Sequence, residues 1–274
     1  MSAMSTSRPM KWLLAVWIGT VLVFLYLPMA AIALASFSRQ RYFRFPIPRF
    51  DTRWYEDAFT SLSVRDLLWT SLTVAAIVTV ISVVLAFLGA LAFARYDWKG
   101  RTVYQKLLLL PIFFPQAVLG LALLLWYSAL GIPTSWMTAV FAHLVWILPI
   151  ATLVISIQVY GFNPAWEEAA RDLGASRWQV FREVTLPILW PGLFSGALFS
   201  FLLSWGNFPL SLFTTGADST IPEWLYAKMV SGYTPLVPTL GTLTVVGAAL
   251  LLLGAYATIM LVRRARRAEV PSDS

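Results

Sequence analysis

Five long stretches without a single Lys, Arg, Asp or Glu limit the fold more than any other feature. They cover residues 12–38, 67–94, 107–166, 184–217 and 229–262, and are 27, 28, 60, 34 and 34 residues long. A helix crosses the hydrocarbon core of a bilayer in about 20 residues. Four of the runs each fit one crossing. The 107–166 run has room for two, and Gly131-Ile132-Pro133-Thr134-Ser135 is its natural turn. Only helices satisfy their own backbone groups in lipid over such lengths. The expected fold is therefore all-α with six transmembrane helices in one membrane domain, residues 1–274. The spans are expected at about 12–36, 67–94, 107–129, 137–160, 188–213 and 237–262, with an external loop over residues 37–66 and a cytosolic one over 161–187.

Charge orients these spans. Thirteen of the twenty Lys and Arg residues fall inside when the amino terminus is placed in the cytosol, and they include Arg95, Arg171, Arg177 and Arg182. Both termini are then cytosolic. The first span is far longer than a signal-peptide core and is read as retained. A net charge of +7 could suggest nucleic acid, but no basic stripe with interleaved aromatics stands on a soluble domain. The absence of cysteine excludes thiolate catalysis and Cys-based metal sites. No G-x-x-x-x-G-K-[ST] loop occurs, so any ATP chemistry belongs to another chain.

Residues 163–187, NPAWEEAARDLGASRWQVFREVTLP, form the one long polar run inside this oily chain. Asn163 can cap a helix that begins at Pro164, and Glu167 and Glu168 lie where its dipole favours acids. Gly174 suits a helix stop that needs positive φ. Ser176 and Gln179 make a capping box for a second short helix, which Leu186-Pro187 closes. The spacing predicts helix, glycine elbow, helix. Trp166, Ala169, Ala170 and Leu173 share one face of the first helix, and Trp178, Phe181 and Val184 share one face of the second. Either the segment is a solvated connection between spans, or that apolar face is offered to a partner.

Other positions stand out from the apolar background. Pro111 and Pro115 should kink the third span, and Gly120 should let a neighbour approach it. Ser204, Trp205, Asn207 and Phe208 bring polar and aromatic groups to the fifth span. They are candidates for a translocation path, although Ser and Asn also join helices. His143 is expected to donate to a carbonyl on a neighbouring helix. The external loop carries Arg41, Arg44 and Arg49, which are either solvated or a contact for an external receptor protein. Ion-coupled secondary transport would normally place ionisable groups at mid-membrane, and these spans hold almost none.

The 163–187 run resembles the signature loop of bacterial ABC-importer permeases: EAA, three residues, Gly, nine residues, Ile, any residue, Leu-Pro. This chain has Glu168-Ala169-Ala170, Gly174, Val184 in place of Ile, Leu186 and Pro187. The segments AFARYDWKGR and SLFTTGADSTIPEWLYAKMVSG extend the likeness, which is closest to the second permease subunit of spermidine/putrescine-type importers. Relatives of that kind also carry iron, thiamine, phosphonates and opines. The resemblance implies a type I ABC importer permease fold. It also implies that the loop is a coupling helix seated in a groove of a separate ATP-binding subunit, with Glu168 as contact and Gly174 as elbow. ATP and Mg would belong to that partner. A second permease subunit, an external substrate-binding protein and the bacterial inner membrane complete the expected surroundings. No bond chemistry is expected of the chain itself.

Overall fold

In a computed structural model, residues 8–40, 46–47 and 49–268 are described, with side chains to residue 260. The helices in chain order are α1 (Arg8–Ser36), α2 (Arg53–Thr60), α3 (Leu62–Arg95), α4 (Arg101–Leu109), α5 (Gln116–Ala129) and α6 (Trp136–Tyr160). They are followed by α7 (Ala165–Asp172), α8 (Arg177–Gln179), α9 (Leu186–Trp205), α10 (Ser211–Thr214), α11 (Ile221–Ser231) and α12 (Leu236–Ala268). Five helical stretches are long and apolar enough to cross a membrane, or six if the bent pair Arg101–Phe113 and Gln116–Ala129 counts as one.

The departures from expectation come at prolines. The third span is broken, not merely kinked: its halves meet at 104°, across a 3-10 turn at Leu110–Phe113. Pro111 opens that turn, and Pro115 follows directly on Phe114, whose backbone is extended as a residue before proline must be. Leu186-Pro187 does not close a separate short helix. Arg177–Trp205 is helical throughout, through a π-helical turn at Val180–Thr185. Pro187 has no N–H for Glu183 and its ring crowds that carbonyl, and the wider π turn just ahead of it accommodates both defects. At the other end, helix α9 stops at Trp205 instead of running to residue 213, and Gly206 to Leu210 separate it from α10.

Residue contacts divide the chain into two units, 1–64 with 225–274, and 65–224. In the first, α1 packs along α12, and Thr239 Oγ1 donates to Ser36 O at 3.5 Å. The loop over residues 37–66, expected outside, is folded where it is described. Ser38 pairs with Phe50 as an isolated bridge, Trp54 Nε1 donates to Ser38 O at 3.1 Å, and Tyr55 OH lies 2.6 Å from Ser36 Oγ.

In the second unit, α6 and α9 form the densest pairing. Gly192 and Gly196 lie one turn apart on α9 and face α6. A β-carbon at Gly192 would lie 2.6 Å from Gln158 Cβ, so only glycine admits this approach. Ala86, Ala90, Ala151, Ile155, Val159, Phe162, Leu189 and Leu193 form the core around that seam. Gly120 likewise lies against α10, where a β-carbon would meet Phe213 Cδ2 at 2.9 Å.

Candidate functional site

The polar run between α6 and α9 folds much as its capping residues dictate. Asn163 Oδ1 accepts the Ala165 N–H at 3.1 Å, at the start of α7. Gly174 adopts φ +88°, and nothing crowds it. This left-handed conformation turns the chain after α7, and an L side chain there would be strained. Ser176 and Gln179 then form the reciprocal capping box: Ser176 N–H to Gln179 Oε1 at 2.8 Å, and Gln179 N–H to Ser176 Oγ at 3.4 Å.

The apolar residues of this segment split between two surroundings. Val184 and Leu186 pack against the α6–α9 core. Leu173 and Trp178 do not, being 89% and 67% exposed, and Trp166 meets that core only along one edge while staying 49% exposed. Ala169 is exposed as well. Phe162 meets Trp166 edge-on at 5.5 Å, and Trp178 stacks on Phe181 at 5.6 Å, so both tryptophans are held in place although open. The outcome is an exposed apolar ridge on two short helices around a glycine elbow. Large exposed apolar ridges of this kind mark interaction surfaces.

The two adjacent glutamates diverge. Successive residues on a helix point about 100° apart. Glu168 is exposed, whereas the Glu167 side chain is 13% exposed and turned inward. Arg95 Nη1, at the last residue of α3, donates to Glu167 Oε1 at 2.7 Å. The Thr185 hydroxyl donates to the same oxygen, and Arg171 Nη2 lies 3.6 Å from Oε2. The Arg95 guanidinium also sits 4.2 Å above the Phe162 ring. Burial pushes the Glu167 carboxyl upward, but the Thr185 hydroxyl, the Arg95 hydrogen bond and the charges of Arg95 and Arg171 together hold it below the usual carboxylate range. Charge counting placed Arg95 on the expected cytosolic side and missed this pairing. No spacing rule links residues 95 and 167, so only the packing of α3 beside α7 could reveal it.

The fifth-span residues are engaged largely inside the unit. His143 Nδ1 lies 2.9 Å from Ser204 Oγ, and Nε2 lies 3.1 Å from Ser211 Oγ. Ser211 Oγ gives its own proton to Asn207 O at 2.8 Å, which assigns donation from His143 Nε2 and acceptance at Nδ1. The histidine thus bridges the end of α9 and the start of α10 through two hydroxyls, where a carbonyl acceptor was expected. Asn207 Oδ1 accepts the Leu210 N–H at 3.1 Å and closes the break between those helices. Trp205 stacks on Phe201 at 6.0 Å, and among the described residues its Nε1 has no partner. Beyond the break, the Trp136 N–H reaches Asp218 Oδ2 at 3.1 Å, and Thr138 Oγ1 reaches Thr214 O at 2.7 Å. The FTTGADST stretch therefore anchors the start of α6. Arg49 is exposed, while Arg41 and Arg44 lie outside the described residues.

A family model described as the inner membrane component of binding-protein-dependent transport systems matches residues 82–270. The chain belongs to that family. It is 30% identical over 227 residues to the spermidine/putrescine transport system permease protein PotC of Haemophilus influenzae, a match covering 82% of this chain and 88% of that one. It is 28% identical over 228 residues to the putrescine transport system permease protein PotI of Escherichia coli, covering 80% and 81%. Among solved structures, a chain of a bacterial ABC transporter that imports the acidic polysaccharide alginate is similar, with a TM-score of 0.69 at 19% identity over 90% of this chain and 95% of that one. A chain of the MetNI methionine ABC transporter gives 0.62 at 18% identity, covering 74% and 99%. This permease is thus a multi-pass inner-membrane protein with the fold of ABC importer permeases, and its family is one of transporters rather than enzymes.

Proposed function

We propose that this permease is one of two membrane subunits of an ATP-driven importer for polyamines such as spermidine and putrescine, with both termini in the cytosol. The observation that carries the coupling half of this reading is the exposed ridge of Trp166, Leu173 and Trp178 around Gly174, with Glu168 beside it. That ridge docks on a cytosolic ATP-binding subunit, which holds ATP and Mg. Val184, Leu186 and Pro187 carry the resulting displacement into α9, because the helix continues through the π turn without a joint. An external binding protein delivers the solute, and Arg41, Arg44 and Arg49 are candidates to meet it. The chain makes and breaks no bonds.

The substrate class rests on the polyamine names of the relatives, which match over four-fifths of this chain. The spans carry no carboxylate in their interiors to meet a cation. Aromatic faces are the remaining means, and the stacked Phe201–Trp205 pair with nearby Phe208 offers them to the path. Ser204 and Asn207, both buried, shape the helix break through their bonds to His143 and to the Leu210 N–H.

Uptake of labelled spermidine and putrescine into cells without polyamine importers of their own tests both halves. The cells would carry this chain with its neighbouring subunits, as wild type or Gly174→Asp. Uptake by wild type alone supports substrate and elbow together. Uptake by both forms removes the elbow role. No uptake by either form, with the complex in the membrane, moves the substrate to another small solute.

A further inference from the structure

We propose that Arg95 and Glu167, closed by Thr185, are a positioning latch that makes α3 move as one body with the coupling segment. This rests on the reading that the segment docks on an ATP-binding subunit. One carboxylate gathers three parts of the chain. Arg95 ends α3, Thr185 ends the π turn that leads into α9, and Glu167 itself belongs to α7. Arg171, one turn along α7, holds the second oxygen.

The covalent routes out of α7 are poor carriers of force toward α3. On one side lies the non-helical stretch Gly161 to Pro164, and on the other the Gly174 elbow with open space around it. Neither route reaches α3, which is joined to the segment through space. Most exposed ion pairs add little rigidity. This one is shielded, with its side chains 20% and 13% exposed, and its guanidinium lies over the Phe162 ring. Glu168, one residue on, is exposed. The EE pair therefore has a division of labour, with Glu168 turned toward the docking side and Glu167 gripping the helix that must follow.

The native chain has no cysteine, so a labelled pair can be introduced cleanly. Spin labels at Leu88→Cys on α3 and Asp172→Cys on α7, both exposed positions, report the α3–α7 distance in the assembled importer without nucleotide and after turnover with ATP and vanadate, which traps ADP–vanadate. The latch predicts one narrow distribution in the wild-type background that nucleotide does not change. Glu167→Gln and Arg95→Gln should broaden it and make it shift with nucleotide, and the exchange Arg95→Glu with Glu167→Arg should narrow it again. Loss of a merely structural ion pair would lower thermal stability without any nucleotide-dependent shift, and that outcome overturns the latch. If both single variants keep the narrow, unchanging distribution while the ATP-binding subunits copurify, the latch is overturned and docking stands. If those subunits do not copurify with the wild-type chain, docking falls and the latch falls with it.

Discussion

Gly196 of α9 faces Ile155 of α6 so closely that a β-carbon at Gly196 would lie 2.7 Å from Ile155 Cγ1. Together with Gly192, one turn earlier, it sets the distance at which the two helices pack. Lipid offers helices no hydrophobic force for association, so van der Waals fit at such seams carries much of the stability. Gly196→Leu must therefore push α9 off α6. Overpacking of this kind costs about 1–3 kcal/mol, and a lower melting temperature in detergent is the expected readout. Gly247→Leu on α12, where nothing lies within 4 Å, should change it far less.

The His143 bridge makes a second prediction. Removing the ring leaves Ser204 Oγ without its partner in a buried site, while Ser211 Oγ keeps its bond to Asn207 O. Interhelical hydrogen bonds in bilayers average about 0.6 kcal/mol, so the lost bonds alone are a modest effect. The cavity left by the fully buried ring adds to it. His143→Ala should lower stability by about 1–3 kcal/mol in all. Crosslinking between cysteines introduced at the end of α9 and in α10 should also lose its single preferred pair, because the break between them is no longer pinned.

Acid should loosen the 163–187 segment through Glu167. A carboxylate whose pKa is lower in the folded state than in the unfolded chain stabilises the fold fully above the unfolded value, and this contribution fades as pH falls through the folded value. Glu167 is held below the usual carboxylate range, so its contribution is intact at neutral pH and lost only in acid. The difference in protease resistance between wild type and Glu167→Gln should be constant near neutrality. It should shrink only as pH falls below the ordinary carboxylate range and through the lowered folded value, where the wild-type carboxyl protonates and comes to resemble the amide. A difference that grows as pH falls would contradict this assignment.

These sites differ in how far they could be read from residue order. The Gly174 elbow and the Ser176–Gln179 box are local: both depend on residues within four positions of each other, and both stand where spacing puts them. The hydrophobic runs likewise mark where the helices lie. Proline effects were only half legible, because a proline announces a defect but not how neighbours absorb it. At Pro111 and Pro115 the chain breaks by 104°, whereas at Pro187 a π turn keeps the helix whole. The Gly192-x-x-x-Gly196 spacing was in plain view and is a known close-packing signal in membrane helices. Residue order alone gives it little weight, because Ser195, Ala197, Ser200 and Ser204 offer other small-residue faces on the same helix. The Arg95–Glu167 pair is a contact across 72 positions in the chain, and such contacts leave no periodic trace. His143 was legible as structural, but its partners were not: a carbonyl or a hydroxyl could take the ring's proton, while its acceptor nitrogen needs a donor such as the Ser204 hydroxyl, and residue order does not say which group reaches it.

Trp178 gives the sharpest test of docking by the ridge. It is 67% exposed yet stacked on Phe181, which fixes the ring before any partner arrives. A pre-ordered tryptophan loses little conformational freedom on binding, and residues of this type dominate interface energetics. Trp178→Ala should weaken binding of the ATP-binding subunits by at least about 2 kcal/mol, or roughly thirtyfold in Kd. Trp190→Ala serves as the comparison, because Trp190 is 57% exposed but lies on α9 beyond the ridge, where lipid is its expected neighbour. Affinity of the detergent-purified chain for the isolated ATP-binding subunit would be measured for both. A loss confined to Trp178→Ala ties docking to the ridge. Equal affinities for Trp178→Ala and wild type would move the docking surface elsewhere, and the exposure of Trp166, Leu173 and Trp178 would then need a different occupant.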